Sequence, residues 1–220
     1  MLSSEHPKKL FLLDAYALIY RAYFAFSKNP RISSSGQNTS AAFGFTNVLI
    51  DILKNEKPTH IAVVFDPPGG STVRQEDFKE YKAHREAMPE DIRSMIEPIK
   101  TLIRSFNIEV IEVAGYEADD VIGTLCKMAE KKGFVTYMMT PDKDYAQLVS
   151  STSFMYKPGR GGAPAQILGV AEVQEKFSVD DPLQVIDILG LWGDASDNIP
   201  GIPGIGEKTS KLLVRKYGSI

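Results

Sequence analysis

The chain has one cysteine, three histidines and one tryptophan in 220 residues. A single thiol, Cys126, excludes an internal disulfide framework and fits a reducing compartment, so a cytoplasmic setting is expected. His6, His60 and His84 are scattered, and no Cys/His spacing suits zinc. Long apolar runs are missing too: the stretch after Lys8 and Lys9 meets Asp14 after four residues. That is too short for a signal peptide or a membrane span. Nor is there an excess of one charge, the formal net charge being −3. There is no internal repeat and no low-complexity tract.

What remains is ordinary globular composition, 43% apolar and 24% charged, with a regular rhythm. "KLFLLD" (9–14), "THIAVVFD" (59–66), "IEVIEV" (108–113) and "FVTYMMT" (134–140) read as buried strands, and "SFMYKP" (153–158) as a fifth. Between them, 39–56, 89–106 and 117–133 carry helical spacing, the second opening on a proline and kinked at Pro98. This alternation predicts an α/β fold with a mostly parallel central sheet flanked by helices. From about Val170 the chain reads as helical with Gly/Pro punctuation. The boundaries are set at 8–170 for the α/β core, with an arch at about 71–88, and 171–220 for a helical region. "GRGGAP" (159–164) is the expected flexible loop.

Ligands of parallel sheets bind beyond the carboxyl ends of the strands. Asp14 and Asp66 end the first two strands, Glu117, Asp119 and Asp120 follow the third, and Asp142 and Asp144 follow the fourth. Seven carboxylates therefore share one edge. Two like charges about 4 Å apart repel by about 4 kcal/mol at an effective dielectric near 20. Divalent cations relieve that repulsion, and oxygen-only ligation selects Mg²⁺ or Mn²⁺. The implied chemistry is phosphoryl transfer or phosphodiester hydrolysis with a metal-activated water. Each group also has a plainer reading: acids at 117–120 favour a helix N-terminus, and Asp142-Lys143-Asp144 is a common turn composition. On a helix Glu117 and Asp120 share a face, which leaves Asp119 to a second ion or an outer-shell water.

Two basic features adjoin this edge. In "STVRQEDFKEYKAHREAM" a helix would align Lys79, Lys82 and Arg85 beside Phe78 and Tyr81, with Arg74 nearby. Such a stripe suits a phosphodiester strand passing over metals, or else a solvated face. "IPGIPGIGEKTSKLLVRK" resembles a helix-hairpin-helix, in which Gly204, Gly206 and Lys208 would hold a phosphate. It abuts Asp194 and Asp197, which would bring the cluster to nine carboxylates. Setting those nine aside leaves 25 cations against 19 anions, a balance of +6.

The stretches "LLDAYALIYRAYFAF", "FDPPGGSTVRQEDFKEYKAHREAMP", "GYEADDVIGTL", "TPDKDYAQLV" and "GDASDNIPGIPGIGEKT" resemble, in order, the 5′→3′ exonuclease domain at the N-terminus of bacterial DNA polymerase I. That domain is a member of the structure-specific 5′ nuclease (flap endonuclease) family. The resemblance implies a PIN-like core holding two or three Mg²⁺ ions, with Asp14, Asp66, Glu117, Asp119, Asp120, Asp142, Asp144, Asp194 and Asp197 at the family's acidic positions. Asp14, Asp66 and Asp120 are expected to act in catalysis with Lys82 and Arg85. It also implies substrate contacts by Arg21, Arg74, Tyr81, Lys82 and Arg85, and a K⁺-dependent duplex clamp at the hairpin. The substrates implied are DNA 5′ flaps, nicks and primer ends and RNA primers in RNA–DNA hybrids, met by a monomer in the bacterial cytosol. Two departures stand out. Val73 replaces an expected aromatic in the arch, and the chain stops at Ile220, short of the family's further helices, as a fragment would. The competing readings are a catalytically silent module that binds branched DNA and, with little support, a haloacid-dehalogenase-type phosphatase. The latter needs an aspartate where Tyr16 stands.

Overall fold

Strand β1 (Lys8–Asp14) puts Phe11 and Leu13 on one face and Leu12 on the other, all buried. A strand apolar on both faces needs helices above and below it. The computed structural model describes residues 8–69, 72–159 and 163–220. Its other strands are β2 (His60–Phe65), β3 (Glu109–Glu112), β4 (Phe134–Met139), β5 (Ser153–Lys157) and β6 (Gln166–Leu168). They form one sheet in the order β3-β2-β1-β4-β5-β6. The first five strands are parallel, with Leu13 opposite Val63 and Met139, and β6 alone runs antiparallel.

The helices are α1 (Ala15–Ala25), α2 (Ser40–Asp51), α3 (Thr72–Asp77), α4 (Glu90–Arg93), α5 (Ile96–Ser105), α6 (Ala118–Glu130), α7 (Val170–Phe177), α8 (Val185–Trp192) and α9 (Glu207–Tyr217). A π-turn at Ile52–Glu56 extends α2, and a 3₁₀ segment spans Lys143–Leu148. On one face of the sheet Phe11, Leu13, Val63 and Phe65 pack with Ile19, Phe45 and Ile99 from α1, α2 and α5. On the other, Leu12, Val64 and Met138 pack with Ile122, Val173 and Ile188 from α6, α7 and α8. Each such side chain contributes about 1.5–3 kcal/mol by leaving water. The two-layered core fixes the sheet, and the sheet fixes where its strand ends lie. No described helix is long and apolar enough to cross a membrane.

The expected α/β architecture is observed, with two local corrections. The 89–106 helix does not kink at Pro98; it breaks at Ser94 and Met95, between α4 and α5. Pro98 falls in the first turn of α5, where a missing N–H costs nothing. The arch is not a continuous helix either. Its first residue, Ser71, lies outside the described residues, α3 ends at Asp77, and residues 79–84 are turns. Lys82 sits at φ 55° and its backbone N–H donates to Asp197 O (2.9 Å), a tertiary bond that replaces a helical one. Lys79, Lys82 and Arg85 therefore form no helical stripe. Helix α1 begins directly at the end of β1, capped by Asp14. Of the loop expected at 159–164, residues 160–162 lie outside the described residues.

Candidate active site

Five parallel strands deliver their carboxyl ends to one edge, and the acidic residues follow. Asp14 ends β1. Its Oδ1 accepts the Ala17 N–H (3.2 Å), and its Oδ2 accepts the hydroxyls of Thr140 (3.0 Å) and Tyr145 (3.2 Å). Only 8% of Asp14 is exposed. Burial pushes its carboxyl up to about 7, and the nearby Asp66 charge adds to the rise. Asp66 follows β2, and its Oδ1 accepts the Ala118 N–H (2.7 Å), fastening the strand end to the start of α6. Burial raises its carboxyl as well. Glu117 caps α6, and Asp119 and Asp120 occupy the first turn. Asp119 is pushed up to about 6 by burial although Arg74 opposes the rise. Asp142 caps the 3₁₀ segment by accepting the Asp144 N–H (3.0 Å). Burial, then Asp142, lifts Asp144 to about 7. A cleft of about 540 Å³ opens beside Asp119, Asp120 and Asp144.

Asp194 and Asp197 arrive from the segment after α8. A backbone bridge pairs Asp194 with Ile199. It is closed by Gly193, at φ 79°, lying against the backbone of Gly201, so closely that a Cβ on either residue would collide with main-chain atoms. Burial would raise the Asp194 carboxyl, but hydrogen bonds from Lys143 and Ser196 outweigh it and hold the group low.

Cations from the arch and the 3₁₀ segment reach into this edge. Arg74 grips Asp120 with both terminal nitrogens (2.8 and 2.9 Å) and lies 3.1 Å from Glu117. Lys82 bonds Glu117 (2.6 Å), and Arg85 bonds Asp197. The Tyr81 hydroxyl donates to Glu117 (2.9 Å) and Asp197 (3.1 Å), while Lys143 pairs with Asp194 (2.8 Å). These pairs are not equal. Arg74 and Asp120 are each about a third exposed, which limits their pairing to about 1 kcal/mol. Glu117 is 6% exposed at its side chain, so stripping it of partners would cost about 3–5 kcal/mol.

Among the described residues, no three His, Cys, Asp or Glu side chains converge closely enough to hold an ion as they stand. The expected metal cluster thus shares an edge without closing into a chelate; Arg74, Lys82 and Lys143 each pair with two or more of its members, and Arg85 pairs with Asp197. The donor set nonetheless fits divalent cations in kind. It is all oxygen, and Asp14 is buried with only neutral donors in contact with it. An anionic Asp14 calls for a cation that no contacting side chain supplies.

The remaining expected contacts divide. Lys79 is exposed on the arch, as are Gly204, Gly206 and Lys208 at the hairpin, with Gly204 at φ 83°. Arg21 instead donates to the carbonyls of Pro158 and Gly159 (both 2.8 Å), holding the stretch after β5. Tyr81 is buried, 6% exposed, and serves the carboxylates rather than the surface. Sequence reasoning missed Thr140, Tyr145 and Lys143 as partners of the acids. The only signal was that Thr140 directly follows β4, and the other two lie among the acids just after it.

Comparison with known proteins bears on this geometry. A family model described as "5′-3′ exonuclease, N-terminal resolvase-like domain" matches residues 9–178, and one described as "5′-3′ exonuclease, C-terminal SAM fold" matches residues 180–220. DNA polymerase I of Bacillus subtilis (strain 168) is 41% identical over 214 residues, 97% of this chain and 24% of that protein. A 5′-3′ exonuclease of Aquifex aeolicus (strain VF5) is 37% identical over 213 residues, 97% of this chain and 71% of that protein. The chain thus spans about a quarter of the polymerases it matches. Among solved structures, the T5 D15 protein co-crystallized with metal ions shares the fold at a TM-score of 0.78 and 22% identity, covering 96% of this chain and 76% of that one.

Proposed function

The chain belongs to the 5′-3′ exonuclease family, and from that premise we propose that it hydrolyses phosphodiester bonds of DNA at 5′ ends and flaps. The observation that carries the reading is the set of seven carboxylates at one sheet edge, joined by Asp194 and Asp197 from the segment after α8, with Arg74, Lys82 and Arg85 of the arch laid against members of the set. Relatives named as 5′-3′ exonuclease, and fold neighbours solved with metal ions or DNA, support the choice of chemistry.

Asp14, Asp66, Glu117, Asp119, Asp120, Asp142, Asp144, Asp194 and Asp197 would hold two or three Mg²⁺ ions, with Mn²⁺ as a substitute. When bound, such ions supply an activated water and neutralise charge on the phosphate. The chain's own groups do the rest. Asp14, held through both oxygens, is oriented before substrate arrives. Arg74, Lys82 and Arg85 exchange their carboxylate partners for the phosphodiester. Lys82 and Arg85 then offset charge developing on the scissile group. The hairpin at Gly204, Gly206 and Lys208, which would hold a K⁺ ion, grips duplex backbone at a set distance, so geometry rather than base sequence selects the bond. Nicks, primer ends and RNA primers are further substrates, and the chain is the nuclease part of a DNA polymerase I, acting as a monomer.

A labelled 5′-flapped duplex tests this. Cleavage in Mg²⁺, binding without cleavage in Ca²⁺, and loss of cleavage in Asp14→Ala and Asp120→Ala are the expected results. Full activity in both variants removes this site from consideration, and binding without cleavage in Mg²⁺ favours a silent DNA-binding module.

A further inference from the structure

Between the arch and the segment after α8 lies a second cavity, of about 530 Å³. Its walls come from three parts of the chain, with Lys143 of the 3₁₀ segment as the third. Glu80 and His84 belong to the arch turns, whereas Trp192, Asn198 and Ile199 lie in and after α8. Trp192 is the only tryptophan in the sequence. Its indole is steadied by the Lys143 ammonium, 5.4 Å from the ring, which is itself tied to Asp194 (2.8 Å). Asn198, in the left-handed region at φ 60°, donates its amide to the Glu80 carbonyl (2.7 Å) and so pins the two walls together. That bond leaves the Asn198 side-chain oxygen to accept from a guest. Neither nitrogen of the exposed His84 ring has a protein partner among the described residues.

The lining says what would fit. An anion is disfavoured, because the one lysine is already paired with Asp194 and Glu80 adds negative charge. A flat heterocycle carrying N–H donors suits an aromatic wall with acceptors at its rim. The cavity also adjoins Asp194, so it sits between the hairpin and the carboxylate edge. A strand held at both would pass over it.

We propose that this cavity receives one unstacked nucleobase of the DNA strand bound at the carboxylate edge, stacked on Trp192, with His84 of the arch lining the same cavity. The proposal rests on the nuclease reading above and adds to it a base subsite. Its acceptor-rich rim favours bases carrying exocyclic amines over thymine. A stacked base typically contributes a factor of about ten in affinity.

Trp192 makes the subsite directly observable. The intact chain is titrated in Ca²⁺ with the single strands dA6 and dT6 and with free dAMP, following tryptophan emission, while anisotropy of a labelled flapped duplex reports overall binding. Saturable quenching by dA6, weaker quenching by dT6 and a loss of about fivefold in dA6 affinity in His84→Ala are expected. His84 is exposed, so this variant leaves folding intact, whereas Trp192→Leu removes an indole packed against the core. Unchanged emission while the duplex binds overturns the subsite and leaves the nuclease reading standing. Quenching by dAMP as strong as by dA6 also overturns it, since the cavity would then take free nucleotides rather than a strand. Failure of the duplex to bind or be cut, with the chain folded, overturns the nuclease reading itself.

Discussion

Replacing Asp14 by asparagine should stabilise the metal-free protein at alkaline pH, although it removes a residue central to the site. The folded carboxyl sits at about 7 against an ordinary 3.8, because burial disfavours the anion. Between those two values the folded state holds a proton that the unfolded chain has released. Stability therefore falls as pH rises from about 3.8 to about 7 and levels off above that. At about 1.4 kcal/mol per pH unit the whole loss is about 4 kcal/mol. Asparagine does not titrate. It does sacrifice part of the acceptor pattern facing Ala17, Thr140 and Tyr145, a cost of about 1–2 kcal/mol that is the same at every pH. The clean quantity is thus the change in Asp14→Asn minus native stability between pH 5.5 and pH 8, expected to be about 2 kcal/mol in favour of the variant. Urea melts in EDTA at the two values measure it. Repeating them in Mn²⁺ should reverse the order at pH 8, since the ion stabilises only the chain that can bind it. A variant that tracks the native protein at both pH values in EDTA would refute the claim that Asp14 is a buried, uncompensated carboxylate.

Tyr81→Phe removes the hydroxyl shared by Glu117 and Asp197; urea melts in EDTA should show a loss of about 2 kcal/mol, since Lys82 retains Glu117. Gly193→Ala meets both a positive φ and the backbone of Gly201, and should cost about 3 kcal/mol or more in the same assay. Gly36→Ala, also at positive φ but with open space around it, should cost only about 1 kcal/mol. The Cys126 thiol is buried and pushed up to about 12 by that burial; it should ignore a thiol-specific chromogenic reagent at pH 8 and react once per chain in guanidinium.

Much of this molecule can be read from its residues. The strand ends at Asp14 and Asp66 were legible because apolar runs stop there abruptly. The acids at Glu117–Asp120 could be placed because α6 carries a clear helical period. The arch was not legible. Spacing alone suggested a helix through Lys82 and Arg85, but tertiary bonds from Lys82 and Arg85 to Asp197, and from Tyr81 to Glu117, outweigh a local propensity supported by little apolar surface. The break at Ser94 and Met95 carries no glycine or proline to mark it, and Pro98, in the first turn of α5, disturbs nothing. The roles of Thr140 and Tyr145 needed three dimensions, for nothing local ties a hydroxyl to a carboxylate more than a hundred residues away.

The contact between Gly193 and Gly201 couples two functions that could have been independent. With main chain against main chain there is no side chain to give way, so the turn bearing Asp194 and Asp197 cannot shift without carrying the base of the hairpin along. On the proposed reading, a duplex settling in the hairpin would therefore also tighten one wall of the proposed ion site. Linkage would then demand the converse: ions gathered at that wall would strengthen the hold on the duplex by the same factor.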